Sequence, residues 1–135
     1  MENYVIPENI KVLYKTASSF PDGVLAAHQS LHALVPFSTT RRYFGLSRPE
    51  NGKIIYHAAM EEMQEGEAEK FACKTMEIRK GKYICIDIKD FMKDIPAIEK
   101  AFTELLKQPN LDQQGYCVEW YMTQQDVRCM VRVVD

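Results

Sequence analysis

Residues 83–88 read Tyr-Ile-Cys-Ile-Asp-Ile, which is the clearest alternation of side-chain types in the chain. A period of two is typical of a β-strand with two different faces, because successive side chains point to opposite sides. Ile84, Ile86 and Ile88 form one apolar set, and we expect this set to face the core of a layered fold. The segments on either side of this strand indicate which fold it belongs to.

A helix and two further strands follow this strand. Ile95, Ile98, Phe102 and Leu105 recur at helical spacing, so a helix is predicted over residues 95–107. Two apolar segments, 115–122 and 127–134, are predicted to be strands. The second half of the chain is therefore expected to run strand, helix, strand, strand.

The first half shows the same order of elements. A strand is predicted over 9–16, a helix over 22–35, and strands over 41–48 and 53–61. An acidic loop at 62–70 and a short strand at 73–79 complete this half. Equivalent elements begin about seventy residues apart, which indicates an internal duplication.

The duplication predicts a single α+β domain spanning residues 1–135. In this fold, two strand-helix-strand-strand units form one curved antiparallel sheet, with both helices on one face and a ligand cleft on the other.

Alternation along 115–122 separates two sets of side chains. Tyr116, Val118, Trp120 and Met122 are all apolar, so we expect them to face the helices. Cys117, Glu119 and Tyr121 then lie on the open face, and matching the two halves places Tyr43 there as well. The open face is thus predicted to carry tyrosines around one carboxylate.

Two interpretations of Glu119 follow from the residues alone. A carboxylate on an apolar strand is costly when desolvated, and a bound cation would supply the missing partner. Alternatively, Glu119 is an exposed strand residue paired with Arg128 or Arg132.

The sequence also resembles a known family, the GyrI-like small-molecule-binding domain. This is the effector-binding domain of AraC- and MerR-type transcription activators. The resemblance spans about residues 9–134. It rests on Gly81-Lys82-Tyr83, a helix with Ile98 and Phe102, Glu119-Trp120-Tyr121, Tyr43-Phe44-Gly45-Leu46-Ser47, and the strand centred on Tyr56.

The resemblance implies a pseudo-twofold fold whose cleft binds small organic molecules, often aromatic cations. In the family, the glutamate of the Glu-x-Tyr strand meets the positive charge, and here that residue is Glu119. Tyr121, Tyr43 and Tyr56 are the corresponding aromatic candidates. Family members in activators carry a helix-turn-helix segment, for which this chain has no room.

Composition excludes several other classes. The chain has 135 residues and a net charge of −2, which gives no basic excess for binding nucleic acid. Its apolar runs are too short to cross a bilayer, and no signal peptide is recognised, so we expect a cytoplasmic protein.

No metal or cofactor is predicted. The cysteines at 73, 85, 117 and 129 lack the close pairing of a zinc site and are expected to be ordinary thiols. His28 and His32 lie one helical turn apart without a visible third ligand, so a surface pair is the simpler interpretation.

The leading functional hypothesis is a stand-alone cytoplasmic protein that senses or sequesters a small amphipathic molecule, cationic or aromatic. One alternative is a hydrolase of strained cyclopropane-bearing natural products that uses the cleft glutamate. Another is a protein-interaction module of the gyrase-inhibitor type. A protein partner or a homodimer is compatible with each of these functions.

Overall fold

The computed structural model describes residues 1–134. Its strands are β1 Glu2–Ile6, β2 Ile10–Thr16, β3 Tyr43–Glu50, β4 Lys53–Glu61, β5 Lys74–Ile78, β6 Gly81–Ile88, β7 Cys117–Tyr121 and β8 Val127–Arg132. Its α-helices are α1 Val24–Leu34, α2 Glu67–Lys70 and α3 Pro96–Leu105, and a 3₁₀ turn spans Phe91–Lys93. These elements confirm the α+β class.

The strands form one antiparallel sheet whose order shows the duplication. The order is β1-β6-β8-β7-β3-β4-β2-β5, so β7 and β3 meet at the centre. Outward from that centre, β8, β6 and β1 on one side correspond to β4, β2 and β5 on the other. The two strand-helix-strand-strand units are therefore related by a pseudo-twofold axis between β3 and β7, as the sequence predicted.

The connection between β1 and β2 requires the sheet to curl. These strands stand six positions apart in the sheet, which is about 29 Å in a flat arrangement. Only residues 7–9 join them, and the step from Ile6 to Ile10 can span about 14 Å at most. The sheet accordingly closes into half of a barrel. Its inner face holds a core of residues from all eight strands, among them Phe44, Leu46 and Val118.

Both long helices pack on the outer face of this sheet. Ala27 and Leu31 of α1 lie in one cluster with Tyr43, Tyr56 and Met60. Residues Ala101 and Leu105 of α3 lie in another with Val127, Cys129 and Val131. Tyr121 packs against both clusters, so the helices share one face of the sheet as predicted.

The predicted facing of β7 was wrong, whereas that of β6 was right. Ile84, Ile86 and Ile88 do pack on the α3 side. On β7, however, Cys117 and Tyr121 face the helices, while Val118 and Trp120 face the interior of the half-barrel. Both faces of β7 are apolar enough to be buried, and the curl covers the face that carries Trp120. The tyrosine-and-carboxylate face therefore lies beneath the helices rather than opposite them.

The segment 62–70, expected to be an acidic loop in solvent, contains α2 and one partner of a half-buried ion pair. Arg41 donates two hydrogen bonds to the Glu67 carboxylate, at 3.0 and 2.9 Å. The two side chains are only 9% and 12% exposed, so the pair ties this segment to the start of β3. Among residues 1–134, no helix combines the length and the apolar character that a membrane span needs.

Gly45, at the centre of the sheet, makes room for two side chains. It lies opposite Glu119 on β7 and opposite Ala58 on β4. A Cβ atom at this position would overlap the Tyr56 hydroxyl and lie 2.7 Å from Tyr56 Cζ and 2.8 Å from Glu119 Oε1. The absence of a side chain thus lets the Tyr56 ring reach across β3 towards β7.

We predict that Gly45→Ala lowers the free energy of unfolding by about 1–3 kcal/mol, because Tyr56 is only 1% exposed and cannot move aside freely. Tyr56→Phe removes the hydroxyl that the new Cβ atom would overlap. The free energy of unfolding of the double variant should therefore fall by less than the sum of the decreases in the two single variants. Urea denaturation measures both effects. Gly115→Ala is the control, since its nearest contact would be 3.2 Å. Additive losses would contradict the proposed packing.

Candidate functional site

Glu119 is a buried carboxylate at the centre of the sheet. It lies midway along β7, opposite Gly45 on β3 and Cys129 on β8. It is 8% exposed, and with His57 it is one of two buried polar or charged residues in the described part of the chain. The sequence thus identified a carboxylate that the fold removes almost completely from water.

Two tyrosine hydroxyls donate hydrogen bonds to the same oxygen of this carboxylate. Tyr121, two residues along β7, donates a hydrogen bond to Glu119 Oε1. Tyr56, on β4, donates to Oε1 across 3.1 Å. The two hydroxyl oxygens are 3.2 Å apart, so the three groups form one compact cluster.

The ion-pair interpretation of Glu119 is wrong. Arg128 binds Asp87 through two hydrogen bonds of 2.7 and 3.0 Å, on the other face of the sheet. Arg132 lies 3.1 Å from the Asp112 carboxylate. Within residues 1–134, the recorded hydrogen-bond partners of the Glu119 side chain are the neutral hydroxyls of Tyr56 and Tyr121.

His28 of α1 extends this cluster. The sequence did not predict this contact, since His28 and His32 were interpreted as a surface pair. Its Nε2 lies 2.8 Å from the Tyr56 hydroxyl oxygen. Its ring meets the Tyr121 ring edge-on, with centroids 5.4 Å apart and an interplanar angle of 89°. The available signal was the spacing of Val24, His28 and Leu31, which places the histidine on the apolar stripe of the helix. We refer to Glu119, Tyr121, Tyr56 and His28 as the carboxylate cluster.

Burial controls the protonation of the carboxylate cluster. It raises the pKa of Glu119, and the hydrogen bonds from Tyr121 and Tyr56 only oppose that shift. Burial, and secondarily His32, lower the pKa of His28 to about 4. Burial also raises the pKa of Tyr56 and Tyr121, so both hydroxyls keep their protons. The cluster therefore has no cationic member at neutral pH.

Aromatic rings from two equivalent loops cover the cluster. Phe20, between β2 and α1, stacks on Tyr56 with centroids 6.0 Å apart. Phe91, between β6 and α3, lies 5.6 Å from the Tyr121 ring. Phe20 is 45% exposed whereas Phe91 is 9% exposed, so the cover is open to solvent mainly on the α1 side.

The structure brings together three of the four candidate residues. Glu119, Tyr121 and Tyr56 are in direct contact. Tyr43 lies on the same face, but its hydroxyl accepts a hydrogen bond from the Ser38 backbone N–H at 2.9 Å and its ring stacks on Phe37. The recorded hydrogen bond of the Tyr43 hydroxyl is thus to Ser38 and not to the carboxylate. In the described part of the chain, no three His, Cys, Asp or Glu side chains come together as a metal site.

We predict that acid destabilises the protein partly through His28. Its pKa is about 4 in the folded state and 6.5 ordinarily, so the unfolded chain binds more protons between these values. Stability should therefore fall as the pH drops from 6.5 towards 4. His28→Gln, which retains an N–H donor but does not titrate, should flatten this dependence in urea denaturation. His32→Gln is the comparison: His32 is exposed and its pKa is also lowered, so this variant should flatten the profile less than His28→Gln does. An unchanged pH profile in His28→Gln would contradict the assignment.

Comparison with known proteins shows the fold. No protein-family model and no curated protein match the chain. Among solved structures, an integron cassette protein from the mobile metagenome of Vibrio cholerae is similar with a TM-score of 0.68 and 10% identity, covering 98% of this chain and 95% of that one. The C-terminal domain of EcmrR has a TM-score of 0.64 and 11% identity, with coverages of 99% and 96%. SAV2435 bound to tetraphenylphosphonium has a TM-score of 0.57 and 15% identity, with coverages of 98% and 94%.

The identities are low, so these likenesses bear on architecture. All three structures match the chain over nearly its whole described length, through both duplicated units. The chain shares the fold of the EcmrR C-terminal domain and of SAV2435, which is the duplicated α+β fold that the resemblance to the GyrI-like domain implied.

Proposed function

We propose that this protein binds small amphipathic molecules, cationic and aromatic, as a sensor or by sequestration. The observation that carries the proposal is the Glu119 carboxylate, which is 8% exposed and whose recorded partners are neutral hydroxyls. A ligand with a delocalised positive charge would supply the missing counterion.

Electrostatics favours a cation at this position. A buried carboxylate without a counterion carries a large desolvation cost, and a cation brought next to it recovers much of that cost. The rings of Tyr56 and Tyr121 add cation–π attraction of about 0.5–2 kcal/mol each. A hydrophobic cation also loses less hydration on entering the site than an ammonium ion of small size, so an aromatic cation fits best.

The similar structures support this class of ligand. SAV2435, whose fold this chain shares, binds tetraphenylphosphonium, an aromatic cation with its charge shielded by four rings. That compound is therefore the natural first probe for this protein.

Entry to the site requires a movable aromatic cover. Phe20 stacks on Tyr56 from a loop and remains 45% exposed, whereas Tyr56 beneath it is 1% exposed. In our proposal, the ligand displaces the Phe20 side chain and takes its place against the tyrosine ring. The proposed setting is the cytoplasm, without direct contact between this domain and nucleic acid.

We predict that Glu119→Gln weakens binding of tetraphenylphosphonium by about thirtyfold or more. Loss of one partner of a desolvated charge pair costs about 2–5 kcal/mol, and about 1.4 kcal/mol corresponds to a tenfold change in affinity. Tyr121→Phe should weaken binding much less, because it retains the aromatic face. Isothermal titration calorimetry measures the dissociation constants of both variants.

The matched control is Glu50→Gln, which removes a carboxylate that pairs with Arg48 at 3.1 Å near the end of β3. This variant should bind the cation as tightly as the parent. Glu119→Gln should also be as stable as the parent, or more so, since it replaces a buried acid that is costly to ionise with a neutral amide of the same shape. Equal affinity of the parent and Glu119→Gln for the probe would rule out charge pairing at this site.

A further inference from the structure

The carboxylate cluster forms a continuous hydrogen-bond chain from a buried acid to a half-buried imidazole. The links are Glu119 Oε1 to Tyr121 Oη, Tyr121 Oη to Tyr56 Oη at 3.2 Å, and Tyr56 Oη to His28 Nε2 at 2.8 Å. A hydroxyl group both donates and accepts, and imidazole Nε2 does either according to its tautomer. Every link can therefore run in either direction.

Each protonation state of Glu119 fits one direction of hydrogen-bond donation between Glu119 and His28. When Glu119 is ionised, His28 Nε2–H donates to Tyr56, the Tyr56 hydroxyl donates either to Tyr121 or directly to Glu119, and the Tyr121 hydroxyl donates to Glu119. When Glu119 is protonated, its O–H donates to Tyr121, Tyr121 donates to Tyr56, and Tyr56 donates to an unprotonated His28 Nε2. Both arrangements satisfy every polar hydrogen in the chain, so neither state leaves a buried donor unpaired.

We propose that Glu119 holds a proton in the unliganded protein and releases it through Tyr121, Tyr56 and His28 when a cation binds. This inference rests on the proposed function of the site. It assigns His28 a role as the outer end of a proton-exit route rather than as a surface histidine.

The proton count balances at each step. Glu119 passes its proton to Tyr121, which passes its own to Tyr56, and Tyr56 passes its own to His28 Nε2. His28 then loses the proton of Nδ1 to water and ends as the Nε2–H tautomer. One positive charge enters the site and one proton leaves it, so the net charge of the site is zero both before and after binding.

The other titratable groups around Glu119 do not compete for this proton. On β7, burial raises the pKa of Cys117 to about 11, and burial also raises the pKa of Cys129 on β8, so both stay as thiols. On α1, burial lowers the pKa of His28 and His32, so both imidazoles are neutral near pH 7. Tyr43 on β3 is held by Ser38. Burial raises the pKa of Glu119, in agreement with a protonated resting state.

The first experiment uses the unliganded protein. NMR follows the ¹³C shift of the Glu119 carboxyl and the ¹⁵N shifts of His28 as the pH is varied. We expect Glu119 to titrate above the ordinary glutamate value of about 4.3, and His28 Nε2 to change from acceptor to donor over the same pH range. In Glu119→Gln, and in Tyr56→Phe, which interrupts the chain, this tautomer change should disappear.

The second experiment counts protons on binding. Tetraphenylphosphonium has no titratable group, so calorimetry at about pH 6 in buffers of different ionisation enthalpy counts protons released by the protein. We expect a measurable release of protons on binding, because the raised pKa of Glu119 leaves part of this group protonated before the cation arrives. A carboxyl with the ordinary pKa would release only about 2% of a proton at that pH.

The outcomes separate this inference from the proposed function. Binding without proton release, together with an ordinary titration of Glu119, would overturn the inference and leave cation binding intact. A coupled titration of Glu119 and His28 without any binding of the probe would support the proton route and count against the proposed ligand. A tautomer change that persists in Tyr56→Phe would exclude the route through Tyr56.

Discussion

Burial of the Glu119 carboxylate among neutral partners is the constraint on which the rest of the site depends. Folding places this group at the centre of an eight-stranded sheet, beneath two helices, and leaves it 8% exposed. Its hydrogen-bond donors are tyrosines, which cannot neutralise a charge. Such a group either binds a proton or binds a cation, and the same physical fact underlies both the proposed ligand and the proposed proton release.

The duplicated scaffold explains where this carboxylate sits. β3 and β7 meet at the pseudo-twofold axis, and Gly45 and Glu119 face each other across it. The two halves therefore place a residue without a side chain opposite a charged one. The space above Gly45 admits the Tyr56 ring from β4, which brings a second hydroxyl to Glu119. The site is therefore asymmetric, although the sheet around it has pseudo-twofold symmetry.

Much of the fold follows from local sequence patterns. The alternation in 83–88 and the helical stripes of both long helices identify elements close to their actual positions. Local patterns did not predict which face of β7 lies against the helices, because both sets of its side chains can be buried. Which set faces the helices depends on the curl of the sheet, and the curl is imposed by β1, a strand with no clear alternation in the sequence.

The site was predictable only in part. Glu119 and Tyr121 share a face of one strand, so alternation alone places them together. The contact between Tyr56 and Glu119 depends on the register of three strands and on the gap at Gly45. His28 reaches the cluster from α1. The sequence around it indicates only that it lies on the apolar side of this helix, not which residues it contacts. Tyr43, expected beside the carboxylate, instead contacts Ser38 and Phe37.

The most direct test of cation binding at Glu119 is a crystal structure of the protein with tetraphenylphosphonium. We expect the cation to lie between α1 and α3, with its charged centre within about 6 Å of the Tyr56 or Tyr121 ring. Glu119 should be its closest charged neighbour, and the Phe20 side chain should be displaced. A cation bound on the inner face of the half-barrel, or at the surface with Glu119 still covered, would contradict cation binding at Glu119.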